Sequence, residues 1–390
     1  MQIRKITGDE RFEARLISAV AFHESIEDIE KAKKETEEQT DEDWGAFSDD
    51  GKLMARIINN HFTTFFDGNL ISNGGIGAVS TLPEYRATGA VKAIFRELLP
   101  QVYRDGEVIS TLYPFNHAFY RKVGYETISW QNEYTFAPGV LQNYRFGGEA
   151  VLWKPGDSVK EYTDLYNRFA SSYNLAAQRT EESMYKAHVK GEYYKDRKFC
   201  YLLKEDKEAV AYVIFKDQKT DSEAELFIQD LAWIGRKGFL AILGFLARFS
   251  ADYGTIKLFL PSDLDLFSVI QSPRAYDIQK TGIQAYMARV INARELLSLM
   301  KKPDEEAFVI KVTDDIIQEN NKTWKVAGKE VTLTDASPDL IVSEKALAQL
   351  ALGSVSLTEA MYREDVEVCA NTELLKRIFV RKPILIEEHF

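Results

Sequence analysis

Cysteine is nearly absent. The 390 residues contain two, Cys200 and Cys369, too far apart for a metal-ligand spacing and too few for a disulfide framework, so a reducing compartment is expected. Histidine is scarce too: of five, His23, His61, His117 and His188 show no ligand spacing and join no Cys/His cluster, and no metal is expected. No apolar run approaches the roughly 18 residues that suggest a membrane span, and residues 1–6 lack a signal-peptide core. A soluble, cytoplasmic protein without a membrane partner is the expectation. A Gly-x-Ser-x-Gly elbow is missing as well, so covalent acyl-enzyme chemistry has no support. Positive charge is outweighed: 49 Lys and Arg stand against 60 Asp and Glu, and the net charge of -11 argues against nucleic acid and is compatible with cationic substrates.

An apolar content of 45% with 12% aromatics is that of a globular chain, and the length calls for two or three domains. Apolar residues at helical spacing, Phe12, Leu16, Ala19 and Val20, predict a helix within 9–34, extended by Ile26 and Ile29. Glu35, Glu37, Glu38, Asp41, Glu42 and Asp43 read as a solvated helix face and loop, with substrate attraction as the other reading. A meander follows over 44–47, 53–58, 61–66 and 75–81, punctuated by Asp50-Gly51 and Asp67-Gly68. A helix over 91–99, a strand over 108–113, a short helix over 118–123 and extended runs over 125–136 complete the segment.

Pro138-Gly139 and Gly147-Gly148 mark a shift in composition, and the first domain is expected to span 1–140. The next segment, 141–285, repeats the order of elements: helices over 157–172 and 180–190, strands over 199–203, 209–215 and 224–233, a helix over 239–250 and a strand over 256–260. A duplicated fold is plausible. Gly235 and Gly238 sit where the first copy has its strand-to-helix turn, but without an Arg-x-x-Gly spacing they read as chain turns. A third segment, 286–390, has strands over 307–312, 323–326, 330–334 and 340–343, then a helix over 344–352 with Ser343 as N-cap and Gly353 as stop.

The most informative stretch is 74–95. A strand ends, the loop Arg86-Ala87-Thr88-Gly89-Ala90-Val91 follows, and a helix begins at once. Small residues let backbone amides approach an anion, the helix dipole adds to them, and Arg86 supplies charge, so a phosphate-bearing cofactor is expected there. If the strand around Val79, Ser80 and Thr81 splays or bulges, its free backbone groups could hold a pantetheine and polarise a thioester carbonyl. A second cluster, Asn116-His117-Ala118-Phe119-Tyr120-Arg121-Lys122-Val123-Gly124-Tyr125, lies on the next strand-to-helix passage. Tyr120 has two readings, a half-buried aromatic of the core and an acid that protonates a leaving thiolate.

Together the two clusters resemble the GNAT N-acetyltransferase superfamily, with its Arg/Gln-x-x-Gly-x-Gly/Ala loop and Phe-Tyr-x-Lys-x-Gly-aromatic run. Val91 stands where glycine or alanine is usual. The whole chain resembles the Eis-type (enhanced intracellular survival) acetyltransferases, which implies an α/β (α+β) fold: two GNAT-like mixed-sheet domains in tandem, the second degenerate, and a sterol-carrier-protein-like domain. The resemblance implies acetyl-CoA as co-substrate, held by Val79, Ser80 and Thr81 of the strand, by Arg86, Ala87, Thr88, Gly89, Ala90, Val91 and Lys92 of the loop, and by Phe115 and Asn116. It implies Tyr120 as general acid and the chain's terminal carboxylate, here on Phe390, as general base. An α-carboxyl, with an ordinary pKa of about 3.5, is ionised and able to take a proton from an ammonium. His389 stands where the family has an acidic residue and reads as a second base or as a surface histidine.

The expected activity is transfer of acetyl from acetyl-CoA to a primary amine of a small polycation, aminoglycoside or polyamine, or to a lysine side chain. Glu24, Glu27 and Asp28 could line an amine pocket or form a solvated face. The alternative is a non-catalytic CoA- or lipid-binding protein using the sterol-carrier-like domain. The resemblance also implies a homohexamer.

Overall fold

Two strands, Leu53–Phe66 and Asn69–Thr81, form a long antiparallel hairpin. Asp67 and Gly68 join them with φ of 48° and 82°, the left-handed pair that a two-residue turn between twisted strands demands. The sequence pattern breaks this hairpin into shorter pieces because Asn59, Asn60 and Asn73 interrupt the apolar runs. In the structure each has a partner within the fold: Asn59 Nδ2 donates to Glu107 at 3.0 Å, Asn60 Nδ2 to the Gly75 carbonyl at 2.9 Å, and Asn73 Oδ1 accepts from Thr111 at 3.1 Å. The strands therefore run on. The computed structural model describes all residues except 9, 38–41, 220–223, 271–276, 285, 304–305 and 389–390.

The first sheet has the order Gln2–Lys5, Glu42–Phe47, Leu53–Phe66, Asn69–Thr81, Ile109–Leu112, Met287–Val290, Glu126–Thr127. Its neighbours are antiparallel except Asn69–Thr81 and Ile109–Leu112, a parallel pair that needs a crossover, supplied by the helix Ala90–Arg104. Ile94, Phe95, Leu98, Leu99 and Val102 of that helix are buried against Ala55, Ile57, Ile76 and Leu112. The second sheet, from its other edge, repeats this plan: Glu149–Leu152, Lys198–Glu205, Glu208–Lys219, Ala224–Trp233, Thr255–Pro261, Trp130–Phe136, Ile278–Gln284, with the parallel pair in the same place and Gly235–Leu246 as crossover. The GNAT-like fold is duplicated.

One strand of each sheet comes from far along the chain. Trp130–Phe136, which the pattern runs on from the first segment, lies in the second sheet, and Met287–Val290 fills the corresponding place in the first. Two compact units result: residues 1–128 with 285–382 and 386–390, and residues 129–284 with 383–385. The first also contains a five-stranded sheet, Glu330–Leu333, Thr323–Ala327, Ala307–Thr313, Leu340–Ser343, Val366–Val368. Its helix Glu344–Leu352 begins with Ser343 Oγ accepting from the Ala346 amide at 3.1 Å and stops at Gly353, φ 85°, as the cap and stop residues indicate.

Three expectations are corrected. The helix within 9–34 is two, Glu10–Phe22 and Ile29–Glu37, because the chain reverses at His23, φ 58°. Asp43 is not on a solvated face: it is buried in the strand Glu42–Phe47, where Arg56 Nε donates to it at 3.1 Å and Arg56 Nη2 grips its other oxygen. The helix over 180–190 is a three-residue turn, Glu181–Ser183, followed by the π-helix Met184–Val189. Glu38 and Asp41 lie outside the described residues.

Candidate active site

The strand Asn69–Thr81 changes character near its end. Ile58 pairs with Gly77 and Arg56 with Ser80, so Ala78 and Val79 oppose Ile57 alone, a β-bulge in which Ala78 takes φ 49°. On the strand's other side the parallel pairing runs from Asn73 with Ile109 to Ile76 with Leu112 and stops there. Residues 77–81 thus present a backbone edge without a ladder partner on that side. The bulge is tied from below: Ser80 Oγ donates to the Ala78 carbonyl at 3.0 Å and lies 3.2 Å from Ser18 Oγ, which accepts from the buried Arg56 Nη1 at 3.2 Å. The Ser80 side chain is thus used within the fold.

The chain then turns through Pro83–Tyr85 into the helix Ala90–Arg104. Arg86, Ala87, Thr88 and Gly89 are exposed, Ala87 has φ 62°, Gly89 has φ 85°, and no side chain caps the helix. A Cβ on Gly89 would meet nothing within 4 Å, so glycine is there for its backbone conformation rather than for space. The amides of Ala90, Val91 and Lys92 lie in the first turn, where a helix has no acceptors of its own. Val91, which departs from the small residue usual at that place, packs its side chain against the core. Arg86 forms no ion pair among the described residues.

Beyond the strand Ile109–Leu112 the chain enters the short helix His117–Arg121, capped by Asn116 Oδ1 accepting from the Phe119 amide at 3.0 Å. Tyr120 is 2% exposed, with its ring edge-on to Phe95, Phe115, Phe119 and Tyr125 at centroid distances of 6.2, 5.2, 5.2 and 6.2 Å. Burial, with Tyr125 adding to it, pushes its phenol well above the usual range. Such a phenol holds its proton at neutral pH. Phe115 is 69% exposed and leans on Phe119, 5.4 Å away.

The C-terminal segment comes to the same end of the first sheet. Tyr113, next after the strand Ile109–Leu112, packs edge-on to Tyr286 at 5.5 Å, and the Tyr286 hydroxyl donates to the Glu388 carbonyl at 3.1 Å. The His389 and Phe390 expectations lie outside the described residues. Glu24, Glu27 and Asp28 are exposed, Glu24 in an ion pair with Arg15 at 2.7 Å and Asp28 accepting from the Lys31 amide at 2.9 Å. Among the described residues no three His, Cys, Asp or Glu side chains gather as metal ligands would, and no helix is long and apolar enough to cross a membrane.

Sequence reasoning missed the buried support of the site, Asp43, Arg56 and Ser18. A signal was present: Arg56 is the lone charge in the apolar run Leu53-Met54-Ala55-Arg56-Ile57-Ile58, and a charge there needs a buried partner.

Residues 2–128 match the acetyltransferase (GNAT) domain, and residues 287–386 the sterol carrier protein domain. No curated protein matches the chain. Among solved structures, a probable N-acyltransferase of Enterococcus faecalis is similar at 23% identity and TM-score 0.86, covering 100% of this chain and 99% of that one. A GCN5-related N-acetyltransferase of Anabaena variabilis has 19% identity and TM-score 0.87, with 100% of both chains covered. Eis1 of Mycobacterium abscessus has 18% identity and TM-score 0.82, again with 100% of both covered.

Proposed function

We infer, from a chain that is a GNAT acetyltransferase of Eis-type architecture with a sterol-carrier domain, that it moves acetyl from acetyl-CoA directly to a primary amine of a small polycation or a lysine side chain. One observation carries the reading. The unpaired edge of residues 77–81 leads into an uncapped helix N-terminus, with the Tyr120 helix on the next passage of the same sheet.

In this reading the pyrophosphate rests on the amides of Ala87, Thr88, Gly89, Ala90, Val91 and Lys92, with Arg86 as counter-charge. Val79, Ser80 and Thr81 pair with the pantetheine arm as a further strand would and polarise the thioester carbonyl. Phe115 and Asn116 border the cofactor. The α-carboxylate of Phe390 takes a proton from the substrate ammonium, and the freed amine attacks the thioester carbon. When the tetrahedral intermediate collapses, the carbon–sulfur bond breaks, the thiolate takes the Tyr120 proton, and the nitrogen's remaining extra proton passes to the tyrosinate, so that the net proton released is the one taken by the Phe390 carboxylate. The products are the N-acetyl amine and CoA thiol. Glu388 supports placing the base here, since its carbonyl is fixed to Tyr286 beside Tyr113.

The test is thiol release from acetyl-CoA with polyamines, aminoglycosides and lysine peptides. At least one amine is expected to turn over; silence with all of them refutes the reading. Residues added after Phe390 are expected to abolish turnover while CoA affinity stays, and normal turnover would remove the terminal carboxylate as base.

A further inference from the structure

The turn behind Tyr120 is gripped by residues of the sterol-carrier region. The Tyr120 carbonyl accepts from the Val123 and Tyr125 amides at 3.0 and 3.2 Å, the chain reverses at Gly124, φ 88°, and Glu126 follows, 4% exposed. Glu126 Oε1 accepts from Arg121 Nε and Nη2 at 2.9 and 2.7 Å and from the Thr127 amide at 2.9 Å. Its other oxygen, Oε2, accepts from Arg363 Nη1 at 3.2 Å.

Arg363 is itself held on all sides. Asp365 takes its Nε and Nη2 at 2.8 and 2.9 Å, and Gln349 Oε1 takes its Nη1 at 2.8 Å, while Gln349 Nε2 donates to the Thr127 carbonyl at 2.7 Å. A second contact comes from the same region. A Cβ on Gly124 would stand 2.8 Å from Arg289 Cζ and 2.9 Å from Glu344 Oε1, and Arg289 is fixed by Asp314 at 2.7 and 3.2 Å.

A buried carboxylate is stable in one orientation only while each oxygen has donors. Without Arg363 the Oε2 of Glu126 loses a charged donor, and the carboxylate has reason to rotate, taking Arg121 with it. Arg121 is the residue after Tyr120, and both lie in a single helical turn.

We propose that Arg363 is a positioning residue for acetyl transfer: through Glu126 and Arg121 it fixes the turn that carries Tyr120. This rests on Tyr120 as the acid. The test uses the full chain with Arg363→Gln, Arg363→Lys, Tyr120→Phe and the double variant Arg363→Gln/Tyr120→Phe, each measured for kcat, KM for acetyl-CoA and Tm. Tyr120→Phe is expected to lower kcat about 100-fold. Arg363→Gln is expected to lower it about tenfold with KM within about twofold, and Arg363→Lys to recover part of the loss.

In the Tyr120→Phe background, Arg363→Gln should change kcat by less than about twofold, since the group it positions is gone. An unchanged kcat in folded Arg363→Gln overturns the proposal, and so does an equal tenfold loss in both backgrounds. If Tyr120→Phe alone leaves kcat intact, the acid assignment has failed, and the proposal falls with it by a separate readout. Glu126→Gln keeps the shape of the side chain and is read by the same rules should Arg363→Gln fold poorly.

Discussion

In the first unit, residues 82–89 separate the strand Asn69–Thr81 from its crossover helix; in the second, Ile234 alone separates Ala224–Trp233 from the helix Gly235–Leu246. The Ile234 amide donates to the Val210 carbonyl at 2.9 Å, and a Cβ on Gly238 would stand 2.2 Å from that same oxygen. Gly238, the fourth residue of the second helix, is therefore pressed onto a neighbouring strand, while Gly235 at that helix's start, like Gly89, has open space around it. The two passages share topology and differ in the length of the turn that leads into the helix. Anion binding depends on that difference and not on the fold.

Shortening the first turn toward the second gives the largest expected effect. Deleting residues 87–89 should raise the Kd for CoA at least about 100-fold by calorimetry, because the amides and the helix start lose their spacing. Unaltered affinity would mean that the turn does not hold the cofactor. The reciprocal change is Gly238→Val, which forces a side chain into the Val210 carbonyl and should lower unfolding stability by about 3 kcal/mol in denaturant titration. Its KM for acetyl-CoA should stay put, and a selective KM change would show the second helix start to be a ligand site.

Gly89→Val tests conformation without deleting anything. A β-branched residue at φ 85° costs roughly 1–2 kcal/mol, so KM for acetyl-CoA should rise about tenfold. An unchanged KM would show that the turn adapts.

The smallest effect contrasts how the units respond to pH. Burial pushes Glu107 up to about 7, with Asn59 and His61 opposing it, from an ordinary 4.5. Between those values the folded chain holds a proton that the unfolded chain has lost, so stability falls as pH rises through about 7. Asp230 in the second unit is held low, Arg179 and His188 outweighing its burial, so its contribution is lost on acidification. Amide exchange should show the first unit loosening as pH rises from 5 to 8 and the second only well into acid. Glu107→Gln should flatten the first response, and an unchanged slope would show that another group sets it.

Much of the candidate site was legible because its signals are local. Arg86 and Gly89 at the strand-to-helix turn, Asn116 ahead of the short helix, and Ser343 and Gly353 around Glu344–Leu352 all act within a few residues of chain. The bulge at Ala78 had a reason to be considered but no marker, since alanine is not a residue that favours φ 49°. Asp43 misled because it closes an acidic run, and only its strand partner Arg56 shows it to be a core residue.

By itself, the sequence determined the duplicated order of elements, the strand-to-helix turn at 86–89, the Tyr120 cluster and the terminal αβ domain, because spacing, caps and turn residues act through hydrogen bonds a few residues long. Only the tertiary structure decided which strand goes to which sheet. Met287–Val290 completes the first sheet and Trp130–Phe136 the second, and such pairings join residues far apart in the chain whose short apolar runs fit either place. The tertiary structure also decided that Gly238 of the second crossover helix lies against the Val210 carbonyl, since that rests on what packs against it.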